Sequence, residues 1–264
     1  MVARMVTPAL VGLNTATVQV EVDLRGGLPA FLVVGLPDPA VQESRERVRS
    51  GIANQAYALP AARIVANLAP ADLRKAGPQY DLPVALTILA ASGQLRPGAL
   101  AATGAVGELA LDGALRPVQG ALVLAEHAAR QGWRQLVVPH ANASEASLVP
   151  GIRVIGARTL RHAVDVLEDR AQPVGAPVDA LALLAADPPA AHGDLRDIRG
   201  QADARRALEI AAAGAHSLLT IGPPGAGKTM LARRLPGILP RMRVEEAIAV
   251  TRVHSVAGLL APGQ

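Results

Sequence analysis

The period of the apolar positions changes along the chain, and each change predicts an element. Residues 16–22 read Ala-Thr-Val-Gln-Val-Glu-Val, the two-residue alternation of a half-buried strand. A second apolar run, Ala-Phe-Leu-Val-Val over 30–34, lies across the turn Arg25-Gly-Gly-Leu-Pro29, so the two are expected to pair as a hairpin. Asp38 and Pro39 supply an N-cap and a first-turn proline for a helix reaching about Asn54. On that helix Arg45, Arg47 and Arg49 beside Glu43 and Glu46 predict a solvated face. A strand over 63–68 and a loop over 69–79 carrying Lys75 follow, and Asp81 is expected to cap an apolar helix over 82–92. Asp112-Gly113 predicts a second hairpin between 107–111 and 114–118. A helix over 120–131, a strand over 135–138, a short helix near Ala143, a strand over 153–155 and a helix capped by Thr159 complete the series. This mixed order places residues 1–170 in the α/β class, as an α+β domain with a mixed sheet.

The pattern breaks over 171–193, where Pro173, Pro177, Pro188 and Pro189 among alanines and glycines read as a linker. Beyond Asp194 an amphipathic helix is expected over 202–213. The apolar run Ser-Leu-Leu-Thr-Ile over 217–221 reads as a buried parallel strand. A helix over 230–235 follows, then one opened by the first-turn acids Glu245 and Glu246 and running through Ile248 and Val250.

Between strand and helix lies Gly222-Pro223-Pro224-Gly225-Ala226-Gly227-Lys228-Thr229, which fits G-x-x-x-x-G-K-[ST], the phosphate-binding loop of P-loop proteins. Glycines let successive N–H groups turn toward a phosphate, and a helix N-terminus adds donors and a positive dipole end. ATP is therefore the expected cofactor. Lys228 is expected at the β- and γ-phosphates and the Thr229 hydroxyl on Mg²⁺. A hydrolase of this class also needs an apolar strand ending in acids and a trans arginine. Neither is found in the 35 residues after Thr229, so no catalytic residue is assigned and this chain is not expected to hydrolyse ATP by itself.

Composition narrows the setting. Half of the chain is apolar but only 2% is aromatic, which leaves Ala, Val, Leu and Ile to build the core. No long uncharged apolar run predicts a membrane span, and the first residues do not read as a secretory signal. The absence of cysteine excludes disulfides and thiolate metal sites and fits a cytoplasmic location. A net charge of +4 permits contact with a polyanion without requiring it. The only lysines are Lys75 and Lys228, so an arginine-rich chain keeps the compact ammonium in its phosphate loop.

Residues 60–165 resemble the C-terminal, protease-like domain of Lon. The resemblance is carried by Lys75-Ala-Gly-Pro-Gln79, by 107–118 (Gly-Glu-Leu-Ala-Leu-Asp-Gly-Ala-Leu-Arg-Pro-Val) and by 128–142. In register, the peptidase nucleophile position holds Gln79 and the base position, just after Gly120, holds Leu122. Gln cannot form an acyl-enzyme and Leu cannot take a proton, so a scaffold without peptidase chemistry is expected. Over the whole chain the sequence resembles the YifB/ComM family of magnesium-chelatase-like AAA+ ATPases. That resemblance rests on 33–38, 42–48, 67–75, Gly200-Gln201 with 206–213, 221–236 and 254–260.

The resemblance implies a truncated P-loop AAA+ domain over 194–264 and a chain that is the N-terminal part of a longer protein. It also implies an oligomeric, hexameric ring when complete, and a DNA-acting ATPase working in branch migration during recombination and natural transformation. A magnesium-chelatase-type motor acting on a metallating partner is the alternative, and a Ser–Lys peptidase is disfavoured. DNA is expected as a partner and a membrane is not.

Overall fold

A computed structural model describes residues 2–175 and 193–260; residues 176–192 of the expected linker lie outside the described residues. The chain divides into two compact units, Met1–Asp179 with Ala249–Gln264, and Ala180–Ile248.

The first unit is built on a seven-stranded mixed sheet. It opens with β1 (Val2–Val11) and β2 (Asn14–Arg25), an antiparallel hairpin paired from Val2↔Asp23 to Val11↔Asn14. Gly12 takes φ +64° at the first position of the two-residue turn, the place where a type II′ hairpin demands glycine. β3 (Ala30–Val34) then departs from expectation. It does not fold back on β2 but runs parallel to β4 (Arg63–Ala69), and β4 is the strand that pairs antiparallel with β2. The expected hairpin of 16–22 with 30–34 is thus corrected: β2 already has β1 on one side and β4 on the other, so no edge is left for β3. β5 (Thr103–Ala105), β8 (Gln135–Pro139) and β9 (Arg153–Ala157) continue the sheet in parallel, giving the order β3-β4-β2-β1-β5-β8-β9. The hairpin turning at Asp112-Gly113 forms as a separate pair, β6 (Glu108–Leu109) with β7 (Leu115–Arg116).

Alternation fixes which face is dry. Val18, Val20 and Val22 of β2 are fully buried, while Gln19, Glu21 and Asp23 point the other way. The register lays Val20 beside Met5 on β1 and Leu68 on β4, so one apolar row crosses three strands. A slip by one residue would turn every one of these side chains out.

Helix α1 (Pro39–Asn54) starts as expected, with the Asp38 carboxylate accepting from Val41 N at 2.8 Å. Helix α2 (Asp81–Ala91) is apolar nearly all round, and every residue but one is buried, because it packs against β1, β2, α1 and α5 (Leu160–Leu167) together. Helix α3 (Ala121–Arg130) and the short α4 (Ala143–Ala146) pair with each other, and α3 also packs on β1, β2 and β8. Trp133 lies over Gly104, where an added Cβ would come within 2.5 Å of its ring. The ring meets the His127 imidazole edge-on at 5.8 Å. The His127 nitrogens are held by the Thr15 and Thr17 hydroxyls at 2.9 and 2.8 Å, and burial lowers the pKa of the ring.

Two polar expectations change. Asp81 is a first-turn residue of α2 rather than its cap. Its carboxylate accepts from Arg47 Nε at 2.6 Å, Arg47 Nη2 at 3.1 Å and the Leu109 amide at 3.2 Å. Arg47 accordingly leaves the solvated face on which its neighbours were placed and turns inward, its side chain 18% exposed. Burial outweighs this cation and pushes the Asp81 carboxyl up to about 6.

In the second unit, a 3₁₀ turn (Leu195–Asp197) leads into α6 (Ala202–Gly214), α7 (Lys228–Ala232) and a further 3₁₀ turn (Leu235–Ile238). Helix α8 (Val244–Val256) carries Glu245 and Glu246 in its first turn, as expected. From Ala249 onward this helix belongs to the first unit, where Arg252 pairs with Glu126 at 2.6 Å and the Ser255 carbonyl accepts from Gly120 N at 3.1 Å. The strand expected over 217–221 is not formed. These residues are irregular, with Leu219 81% and Ile221 88% exposed. A strand needs a neighbour to take its N–H and C=O groups, and no strand lies in the second unit among the described residues.

Removing Arg47 strands a buried carboxylate, so Arg47→Ala is expected to cost about 3 kcal/mol of stability, read by chemical denaturation. An unchanged midpoint would show that the pair carries no such load. Asp81 gives a pH signature as well. Between its ordinary 3.8 and about 6 the folded chain holds more protons than the unfolded one. Its contribution is present below 3.8 and is lost as pH rises through about 6. Asp81→Asn should flatten that part of the stability–pH curve.

Candidate functional site

The second unit has a small apolar core of Leu195, Ile198, Leu208 and Leu231, with Leu235 and Ile238 packed against it. That core positions the glycine-rich loop. Leu208 anchors α6 and Leu231 anchors α7, which begins at Lys228. The turn that presents Leu195 is closed at both ends, Asp194 accepting from Arg196 N at 2.8 Å and Asp197 from Asp194 N at 2.9 Å.

Residues 222–229 form an exposed loop running into α7. Gly225 and Gly227 both take φ +82°, a left-handed conformation that only glycine adopts without strain. Ala226 N donates to Pro223 O at 3.3 Å, closing a turn over Pro224 and Gly225. The Lys228 ammonium folds back across the loop and donates to Gly222 O at 2.7 Å and Pro223 O at 2.8 Å. Gly227 O accepts from Leu231 N at 2.9 Å and so opens the helix, and Thr229 stands exposed in its first turn. All eight expected residues therefore lie on one short arc, with the Lys228 ammonium over its first carbonyls and Thr229 in the first turn of the helix that follows. This donor set suits a polyphosphate with a hard cation: the ammonium offers three donors and the hydroxyl an oxygen ligand. Gln201 adds a contact that the motif does not announce. Its Nε2 donates to Ala226 O at 3.0 Å from the start of α6.

The first unit holds the other residues singled out in the sequence. Gln79 lies at the edge of a cleft of about 420 Å³ lined also by Leu10, Gly77, Glu108 and Gln119. Leu122 is fully buried in α3 and does not line that cleft; its amide donates to Glu145 Oε1 at 2.9 Å. Glu145, which sequence reasoning passed over, is a buried carboxylate that also accepts from the Ser255 hydroxyl. Lys75 is fully buried with its ammonium on Pro70 O, and desolvation lowers its pKa. Among the described residues no helix is long and apolar enough to cross a membrane.

Two family models match the chain. "Subunit ChlI of Mg-chelatase" covers residues 20–142, and "Magnesium chelatase, subunit ChlI" covers 194–264. The uncharacterized protein YifB of Salmonella typhimurium is 47% identical over 253 residues, which is 95% of this chain and 48% of that protein. YifB of Escherichia coli is 45% identical over 251 residues, again 95% of this chain and 48% of the relative. The competence protein ComM of Haemophilus influenzae is 45% identical over 249 residues, 94% of this chain and 48% of the relative. The chain spans about half the length of the curated relatives it matches. The second family match takes in the whole phosphate-loop arc and the first takes in most of the mixed sheet, and with both halves accounted for, the chain belongs to the YifB/ComM family of magnesium-chelatase-like AAA+ proteins.

Proposed function

We propose that this chain carries the nucleotide-binding loop of an ATP-driven motor that acts on DNA as a ring-forming, hexameric assembly in the cytoplasm. The observation that carries the nucleotide reading is the loop itself: two glycines at φ +82°, with Lys228 folded across the arc and Thr229 at the start of α7. In this reading the Lys228 ammonium leaves the Gly222 and Pro223 carbonyls for the β- and γ-phosphates. Thr229 offers its oxygen to Mg²⁺, and Gly222, Pro223, Pro224, Gly225, Ala226 and Gly227 supply the backbone wall. Bound ATP and Mg²⁺ supply the hydrolysable anhydride and its charge neutralisation. The first unit serves as an assembly or DNA-contact module without peptidase chemistry, since Gln79 and Leu122 offer no nucleophile and no base.

The DNA part rests on kinship. The Haemophilus relative is named for competence, and the family resemblance carries branch migration with it. A second reading has support in the family descriptions, which name a magnesium-chelatase subunit. There the same loop would drive a motor that remodels a metallating partner.

In a protein of the relatives' length carrying this chain, Lys228→Ala is expected to weaken ATP binding at least tenfold in calorimetry, a loss of about 1.4 kcal/mol or more. Retention of native affinity would sink the assignment of the loop. Thr229→Ala should raise the Mg²⁺ concentration needed for turnover while leaving Mg²⁺-free nucleotide binding nearly intact.

ATP turnover by the same protein should rise when branched or single-stranded DNA is added. A rate indifferent to every DNA tested would move the reading to the chelatase-type motor.

A further inference from the structure

Gln201 is the feature of the second unit that the phosphate-loop motif leaves unexplained. It sits at the start of α6 with φ +54° and ψ 40°, directly after Gly200, which is also left-handed at φ +72°. Glycine takes such a conformation freely and a long side chain does not, so a glutamine there is a strained choice. Strain of this kind persists where the side chain does something that glycine could not. Here the side chain reaches the phosphate loop. Its Nε2 donates to Ala226 O at 3.0 Å, and it packs so closely that a Cβ added to Gly227 would lie 3.5 Å from that nitrogen.

The effect of this bond follows from the planarity of the peptide unit. The Ala226 carbonyl and the Gly227 N–H belong to one rigid plane and point in opposite directions. Holding the carbonyl against α6 turns the Gly227 N–H away from α6. Without the clamp this peptide could rotate, because Gly227 restrains its own dihedrals less than any other residue would. The next residue is Lys228, so the orientation of this plane also sets where the ammonium stem departs.

We infer that Gln201 is a positioning residue of the phosphate loop: its amide fixes the Ala226–Gly227 peptide so that the Gly227 N–H faces the phosphates of the nucleotide. This inference rests on the nucleotide reading of the loop proposed above. Gln201 does not touch the ligand and acts through the backbone it holds. Its effect is therefore on the phosphate-dependent part of binding.

The test uses a protein of the relatives' length carrying this chain, with ATP, ADP, inorganic pyrophosphate and adenosine as probes. Gln201→Gly removes the amide and relieves the left-handed strain together. The thermal midpoint should hold or rise while Kd for ATP, ADP and pyrophosphate rises about five- to tenfold. Adenosine, which lacks phosphates, should bind as it does to the native protein. Gln201→Glu keeps the shape but sets a carboxylate against the carbonyl, and should lose the same affinity. Gln201→Lys restores a donor of similar reach and should recover most of it. Lys228→Ala is the control for the underlying reading. If it loses ATP while Gln201→Gly and Gln201→Glu bind ATP as the native protein does, the inference on Gln201 is overturned and the loop assignment stands. If Lys228→Ala also binds normally, the loop assignment itself has failed. A fall in adenosine affinity equal to that for ATP would reassign Gln201 to the general architecture of the unit.

Discussion

The first unit depends on one buried carboxylate. Asp81 accepts from Arg47 Nε and Nη2 and from the Leu109 amide, and so ties α1, α2 and the β6–β7 hairpin at a single point. Because α2 is apolar almost everywhere, its packing alone would leave its rotation and axial position weakly specified. A polar bond inside an apolar layer has one satisfactory geometry, whereas apolar contacts have many. Arg47 enters the same junction with a second commitment, donating to Ala40 O within its own helix at 2.9 Å. On the same helix Ser44, one turn beyond Ala40, is buried with no hydrogen-bond partner for its hydroxyl.

What could be read from the sequence was local. The Asp38 cap, the Thr159 cap and the Asp112-Gly113 turn each involve residues within a few positions of one another, and each forms as the pattern predicts. Strand pairing was harder to read. β2 and β3 are neighbours in sequence with a turn between them, yet β3 pairs with β4, more than thirty residues on. The hairpin that does form uses Gly12-Leu13, a two-residue turn with weak side-chain signals. Its first strand carries Arg4 and Pro8 amid apolar residues and shows no clean alternation. Arg47 was misplaced for a related reason. Helical periodicity gives the angle of a side chain around its own axis but not what lies across from it.

At the candidate site the motif fixed the loop and the start of its helix, because glycine conformations and an ammonium over carbonyls are set within eight residues. The extended segment before the loop obeyed a different rule. Its composition favours a strand, but a strand is a property of two chains side by side, and composition supplies only one. Gln201 enters the sequence reading only through the family resemblance, because its contact lies twenty-five residues downstream and works through a backbone carbonyl, which carries no sequence signature.

The packing of Trp133 over Gly104 has a practical consequence. It is the sole tryptophan, and the remaining aromatic residues, Phe31, Tyr57 and Tyr80, lie in the same unit. Intrinsic emission and near-ultraviolet dichroism thus report on the mixed sheet alone, and the glycine-rich loop sits in an optically silent part of the chain. A fluorescent purine at that loop would be seen against a dark background, and a melting curve followed by tryptophan emission would pass over any change there.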